Sequence, residues 1–281
     1  MSRPPAAIVL AAGKGTRMKS DLPKVLHPAD GAPMVRHVVA ALRELGASPI
    51  VLVVGHGASL VRETFVGEDG RAEENLHFAL QTEQLGTGHA VACGLEALEA
   101  SGKSGKSGEP GEPGAAAETG GDLLVLCGDG PLIRAQTLRA LLDAHRSSGA
   151  AATLATSRVP DPTGYGRIAR DAGGRFRAIV EHADATESER AIDEINPSIY
   201  AFREDALRET LPKVGRGNAK GEVYLTDVFE LLLEDRRDGR RSGPAVEVVA
   251  AVPPEEILSV NTPEQLAEVD RILRRRRELG E

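Results

Sequence analysis

Apolar positions in the first half of the chain follow two alternating rhythms. Continuous runs at 7–10, 50–54, 77–80, 123–127 and 151–156 have the length of strands buried on both faces. Between them, Met34, Val35, Val38, Val39, Leu42 and Leu45 recur at helical spacing, and Gly46 is a natural stop. Similar patterns predict helices over 58–65, 87–100 and 135–145. Strand alternating with helix predicts a mostly parallel sheet wrapped by helices and joined by right-handed crossovers.

The second half is mixed. Residues 166–170 and 175–181 read as a hairpin around Asp171-Ala-Gly-Gly174. Strands are predicted over 195–202 and 246–252, and a mainly helical stretch over 222–235. A helix over 263–278 closes the pattern, with Thr262 as N-cap and Glu264 and Gln265 in its first turn. The run Arg274-Arg275-Arg276-Arg277 reads as a solvated helix end that suits the negative pole of the helix. Residues 101–121 break the rhythm with Gly-Lys-Ser and Glu-Pro-Gly steps and no apolar anchors, and read as a flexible surface insertion. No strand precedes those Gly-Lys-Ser steps, so they are not read as a phosphate loop.

Composition narrows the class. The chain has 281 residues and 41% hydrophobic content, enough for one α/β domain over 1–281. Aromatic residues are 3%, so the core must be aliphatic, and so few argue against a base-stacking platform for single-stranded nucleic acid. A net charge of −8 disfavours nucleic acid and acidic membranes as partners, leaving small molecules. Cys93 and Cys127 are too few and too isolated for a zinc site or a disulfide framework. Taken by its flanks, Cys127 is a buried strand thiol. No apolar run approaches the ~18 residues of a membrane span. The N-terminus leads into a strand without a signal-peptide core, so a cytoplasmic protein is expected.

The chemistry concentrates at 8–28, where an apolar strand runs into a loop with Gly13, Gly15, Lys14, Arg17, Lys19 and Lys24. Glycines admit a ligand close to the backbone, whose N–H groups can face phosphate oxygens. Such a loop suits a polyphosphate. It is not a P-loop, because Gly15 stands where Gly13-Lys14 should be followed by Ser or Thr. Nor is it a dinucleotide fingerprint, whose third glycine would fall on Met18. Asp129 ends the 123–127 strand. If that strand neighbours the first, Asp129 faces the phosphates, and a cation is needed between them. Mg²⁺ fits, being hard, oxygen-seeking and often held by one or two protein groups plus phosphate. Asn261 can supply a second oxygen. His27, His56, His89 and His182 have no evident Ser or Cys partner, so a hydrolase triad is not supported.

The stretches Leu10-Ala-Ala-Gly-Lys-Gly-Thr-Arg-Met18 and Leu22-Pro-Lys-Val-Leu-His27 resemble the opening of sugar-nucleotide pyrophosphorylases. The resemblance continues through Gln81-Thr-Glu-Gln-Leu-Gly-Thr-Gly-His-Ala90, Gly128-Asp129, Asp161-Pro-Thr-Gly-Tyr-Gly-Arg-Ile168, Glu181-His182, Glu194-Ile-Asn196 and Val260-Asn261. It is strongest to the N-terminal uridylyltransferase half of the bacterial bifunctional enzymes that make UDP-N-acetylglucosamine. It implies a Rossmann-like nucleotide-diphospho-sugar transferase fold, an α/β sheet that is mostly parallel. It also implies uridylyl transfer from UTP to N-acetylglucosamine 1-phosphate with Mg²⁺ as cofactor. By the resemblance, Arg17 and Lys24 are catalytic and Asp129 and Asn261 hold the metal. The uracil is read by Gln81, Gly86 and Thr87 with the backbone of Leu10, Ala11, Ala12 and Gly13. Cys127 and Gly128 line the substrate site, and Gly166, Glu181 and Asn196 contact the sugar.

Three departures matter. Asn196-Pro197-Ser198 replaces the family's Asn-Thr-Gly, Cys127 stands where a tyrosine is frequent, and Gly130 follows the metal aspartate where an apolar residue is usual. These leave another sugar phosphate, such as glucose 1-phosphate with UTP or dTTP, as an alternative. A catalytically silent nucleotide sensor is the reading from another class. The hexapeptide repeats of the relatives' acetyltransferase half do not occur in these residues, so acetyl transfer is not expected of them. Thr87 can also be a plain helix N-cap.

Overall fold

The aliphatic runs of the first half become neighbouring strands of one sheet in the computed structural model, which describes residues 3–67, 73–104, 121–250 and 252–280. Most of the 101–121 stretch thus lies outside the described residues. In chain order the elements are β1 (Ala6–Ala11), β2 (Pro28–Ala29), β3 (Ala32–Pro33), α1 (Met34–Leu45), β4 (Ile50–Val54), α2 (Ala58–Glu63) and β5 (Leu76–Leu80). Then come α3 (Thr87–Ser104), β6 (Asp122–Cys127), α4 (Ala135–Ser148), β7 (Ala152–Ala155), β8 (Ser157–Arg158), β9 (Gly166–Arg170) and β10 (Phe176–Val180). The remainder is α5 (Glu187–Arg190), β11 (Glu194–Asn196), β12 (Ile199–Arg203), α6 (Glu204–Thr210), α7 (Asp227–Arg237), β13 (Val246–Val249) and α8 (Pro263–Leu279).

A seven-stranded sheet has the order β13-β7-β12-β6-β1-β4-β5. Only β12 runs antiparallel to its neighbours β6 and β7; the other pairings are parallel. This is the mostly parallel Rossmann-like α/β sheet expected for the fold class. Successive strand residues face opposite sides. Accordingly Val9 and Leu52 pack with Val35, Val38 and Leu42 of α1 on one face. Ile8, Val51 and Val125 pack with Val91 and Leu95 from α3 and Leu232 from α7 on the other. Fully burying each such side chain contributes about 1.5–3 kcal/mol. A second, four-stranded antiparallel sheet, β10-β9-β11-β8, holds the hairpin predicted over 166–181. A third cluster joins Met18, Leu132 and Val260 to Val269 and Ile272 of α8, fixing the loop after β1 against the C-terminal helix. Thr262 caps α8 in a capping box with Gln265.

Four expectations need correction. Residues 195–202 are two strands in different sheets, β11 and β12. Pro197 offers no N–H to a ladder and Ser198 takes a left-handed φ of 60°, so the chain turns there. Helix α7 starts at Asp227 instead of 222, because the preceding residues bond elsewhere. Gly88 N–H donates to Val223 O at 2.8 Å and Val223 N–H to Leu85 O at 2.8 Å. The strand predicted to reach 252 stops at Val249. Finally, the arginine run is only partly solvated. Arg276 is buried, donating to Leu132 O at 2.7 Å and to Glu255 at 2.6 Å. Among the described residues no helix is long and apolar enough to cross a membrane.

Candidate active site

Because β1 and β6 are parallel neighbours, their carboxyl ends open side by side. The glycine loop leaves one and Gly128-Asp129 the other, with Gly128 N–H donating to Leu10 O at 2.9 Å. A short 3₁₀ turn, Thr16–Met18, carries Arg17, and a second, Lys24–Leu26, carries Lys24. Gly15 adopts φ 62°, and a Cβ there would stand 2.6 Å from Cβ of Lys24. Glycine therefore lets the lysine cross the loop toward the strand ends. A Cβ on Gly13 would meet nothing, so that backbone opens onto the cleft.

Four side chains converge here. Lys24 Nζ forms an ion pair with Asp129 and donates to Asn261 Oδ1 at 3.0 Å. Arg17 donates to the same Asn261 Oδ1 at 2.8 Å. Asn261 sits in the loop just before α8, held there because Val260 N–H donates to Asp129 O at 2.9 Å. Among the described residues, Asp129 Oδ1 is buried without a hydrogen-bond partner. A buried anionic oxygen without a donor suits a hard cation. Among the described residues no group of three His, Cys, Asp or Glu could hold a metal. The donors here are Asp129 and the Asn261 amide, with room for phosphate oxygens to complete the set.

The cleft is lined by ten nominated residues: Leu10, Ala11, Ala12, Gly13, Lys24, Gln81, Gly86, Thr87, Cys127 and Asp129. Val25, Gln84, Ala90 and Glu222 also line it, beyond the site residues to which the sequence points. Gln84 lies inside the motif 81–90 and donates to Ala12 O at 2.7 Å, so its position in that block was the available signal. Glu222 had none, being placed by the long-range pairing of 222–226 with 85–88. Cys127 is not wholly buried as its flanks suggested; it ends its strand at the cleft. Burial and the nearby Asp129 charge still push its thiol up to about 12.

Gln81 is buried, its Nε2 3.1 Å from Gly86 O and 3.1 Å from His89 Nδ1. Gly86 has φ 109°, and a Cβ would press to 2.5 Å from Val223 O, so only glycine fits there. Thr87 is the first residue of α3, and its hydroxyl accepts from Leu225 N–H at 3.0 Å instead of capping the helix. His89 does have a cysteine beside it, with Cys93 Sγ 3.9 Å from Nε2, but burial raises that thiol and no triad forms.

Gly166, Glu181 and Asn196 lie together on the small sheet. Gly166 pairs with Asn196 across β9 and β11, and Glu181 follows β10. Asn196 is buried and bound at both ends: Nδ2 donates to Tyr200 Oη at 2.7 Å and Oδ1 accepts from Ser198 N–H at 3.1 Å. Burial raises the Glu181 carboxyl, against a hydrogen bond accepted from Thr226 at 3.2 Å. Thr226 is a further residue that sequence reasoning missed. Burial, helped by Glu230 and Glu181, also lifts Asp227 to about 6. The site is thus polarised. Arg17 and Lys24 face one end, while Glu181, Glu222 and Asp227 gather at the other. Phosphates fit the first and an uncharged polyhydroxy or amide group the second.

A family model described as the MobA-like NTP transferase domain matches residues 7–199. The bifunctional protein GlmU of Geobacter metallireducens is 46% identical over 271 residues, 96% of this chain and 51% of the relative. That of Thermobifida fusca is 46% identical over 277 residues, covering 98% of this chain and 52% of the relative. That of Bacillus cereus is 44% identical over 270 residues, covering 96% and 52%. The chain spans about half the length of these curated relatives.

Proposed function

As a member of the MobA-like NTP transferase family, this chain is a nucleotidyltransferase, and we propose that it moves a uridylyl group from UTP onto N-acetylglucosamine 1-phosphate, releasing pyrophosphate. The observation that carries the reading is the convergence of Arg17, Lys24, Asp129 and Asn261 where β1 and β6 end together. Residues 1–281 act as one nucleotidyltransferase unit, working in the cytoplasm.

The sugar phosphate oxygen attacks the α-phosphorus in line and pyrophosphate departs, so no protein nucleophile is needed. Catalysis then rests on positioning and on charge neutralisation. Arg17 holds the β- and γ-phosphates and stabilises the departing pyrophosphate. Lys24, a point charge on a flexible stem, follows the α-phosphate as charge develops. Asp129 and Asn261 would hold Mg²⁺, which supplies neutralisation of the phosphate oxygens when bound. The backbone of 10–13 and the side chain of Gln81 position the uracil, with Gly86 and Thr87 shaping its edge and Cys127 and Gly128 the floor. Gly166, Glu181 and Asn196 shape the sugar end. There Asn196 acts by holding the wall, since both ends of its amide are engaged.

The test is pyrophosphate release by the purified chain with Mg²⁺, UTP and a panel of sugar 1-phosphates. Uridylyl transfer to N-acetylglucosamine 1-phosphate that vanishes in Asp129→Ala supports the reading. A preference for glucose 1-phosphate or dTTP replaces the substrate assignment, and no release by folded wild type favours a nucleotide sensor.

A further inference from the structure

Gln81 and His89 form a small hydrogen-bonded device beside the base-binding end of the cleft. The Gln81 amide nitrogen is 3.1 Å from Gly86 O, an atom that can only accept. The nitrogen must therefore face it, since an amide oxygen there would put lone pair against lone pair. The same nitrogen is 3.1 Å from His89 Nδ1, so both of its N–H bonds are used. His89 Nδ1 accepts only when the ring proton sits on Nε2, and Nε2 points to Cys93 Sγ at 3.9 Å, a weak acceptor. No group among the described residues donates to Gln81 Oε1, and Gln81 lines the cleft. Its oxygen is held as an outward acceptor.

We infer that His89 is a positioning residue for nucleotide selection, locking the Gln81 amide so that the cleft presents an acceptor to the pyrimidine edge. This rests on the proposal that a uridine nucleotide binds here. Uracil carries N3–H at the centre of that edge and donates to a fixed acceptor. Cytosine carries a bare N3 and meets it lone pair to lone pair. Thymine has the same N3–H as uracil, so the lock does not separate those two. Without His89 a single bond to Gly86 O resists rotation of the amide, and a rotated amide offers N–H to cytosine.

The experiment compares kcat/KM for UTP, CTP and dTTP in wild type, His89→Leu, His89→Phe and His89→Asn, with one sugar phosphate. Equilibrium titration with UDP and CDP provides a readout independent of turnover. His89→Leu and His89→Phe are expected to lower the UTP-over-CTP ratio by about tenfold, the worth of one neutral hydrogen bond. The UTP-over-dTTP ratio stays unchanged, which a general loosening of the cleft would not produce. Asn keeps an oxygen near the place of Nδ1 and is expected to preserve the ratio. A uridine preference that folded His89→Leu and His89→Phe leave intact overturns this inference alone. Wild type lacking uridine preference in both turnover and titration overturns this inference together with the uridine reading beneath it.

Discussion

Lys24 Nζ joins the carboxylate of Asp129 to the side-chain oxygen of Asn261, 105 and 237 residues further along the chain. Both side chains of the ion pair are 15% exposed, so little water screens it. In the proposed reaction the ammonium leaves these oxygens for the phosphates, and Asp129 and Asn261 would then be free to hold Mg²⁺. Lys24→Met removes the mobile charge while keeping the stem. Its kcat is expected to fall by about 10²–10³, the usual effect of deleting one preorganised charge at a reacting oxygen. Pyrophosphate release under saturating substrates measures it, and a variant within threefold of wild type would refute the role.

Ser198 holds a left-handed backbone at φ 60°, in a place where the resembled family has glycine. A side chain there costs about 1 kcal/mol. Ser198→Gly is expected to be more stable than Ser198→Ala by about that amount, since both lose the hydroxyl and only glycine relieves the backbone. Urea unfolding of the two variants measures the difference, and equal midpoints would remove the strain argument.

Glu194 is a buried carboxylate bound by Arg170 at 2.7 and 2.9 Å and by the Thr156 hydroxyl at 3.0 Å. Burial would raise its carboxyl, but these partners outweigh burial and hold it below the ordinary 4.5. A depressed carboxylate stabilises the fold above 4.5, and that contribution fades as pH falls through the folded-state value. Glu194→Gln is expected to cost about 2 kcal/mol at pH 7, allowing for the exposed side of Arg170. The gap from wild type should shrink in unfolding experiments carried toward about pH 3. A gap independent of pH would contradict the assignment.

Cys127 lines the cleft, yet its thiol is raised from 9.0 to about 12. The thiolate fraction near pH 8 then falls about a thousandfold below that of a free cysteine. Mass spectrometry after iodoacetamide treatment at that pH should find Cys127 unmodified while a model thiol reacts fully. Rapid alkylation would show that the carboxylate of Asp129 and burial do not act on it together.

The strand–helix alternation was legible because a parallel sheet demands continuous apolar runs, and Ile50–Val54 with Met34–Leu45 follow that pattern without exception. The residues of the proposed phosphate end stood out for a similar reason. They sit at strand ends, and Gly13, Gly15 and Lys24 fall within one short stretch. The break between β11 and β12 was obscured because Ile195, Ile199 and Phe202 read as one apolar run, and only Pro197 marks the change of sheet. Residues 222–226 escaped because their backbone partners lie more than a hundred positions earlier, and no local pattern encodes such pairing. His89 was read without a thiol neighbour, although Cys93 stands one helical turn away. The helix predicted over 87–100 includes both, so their spacing of four already set them on one face.

The pairing of 85–88 with 222–226 spans the two ends of the cleft. On one side lie Gly86 and Thr87, and on the other Thr226, bound to Glu181. These segments cannot loosen or tighten independently. The two ends of the cleft thus share one hydrogen-bonded wall, so a substitution in either segment is felt by the other.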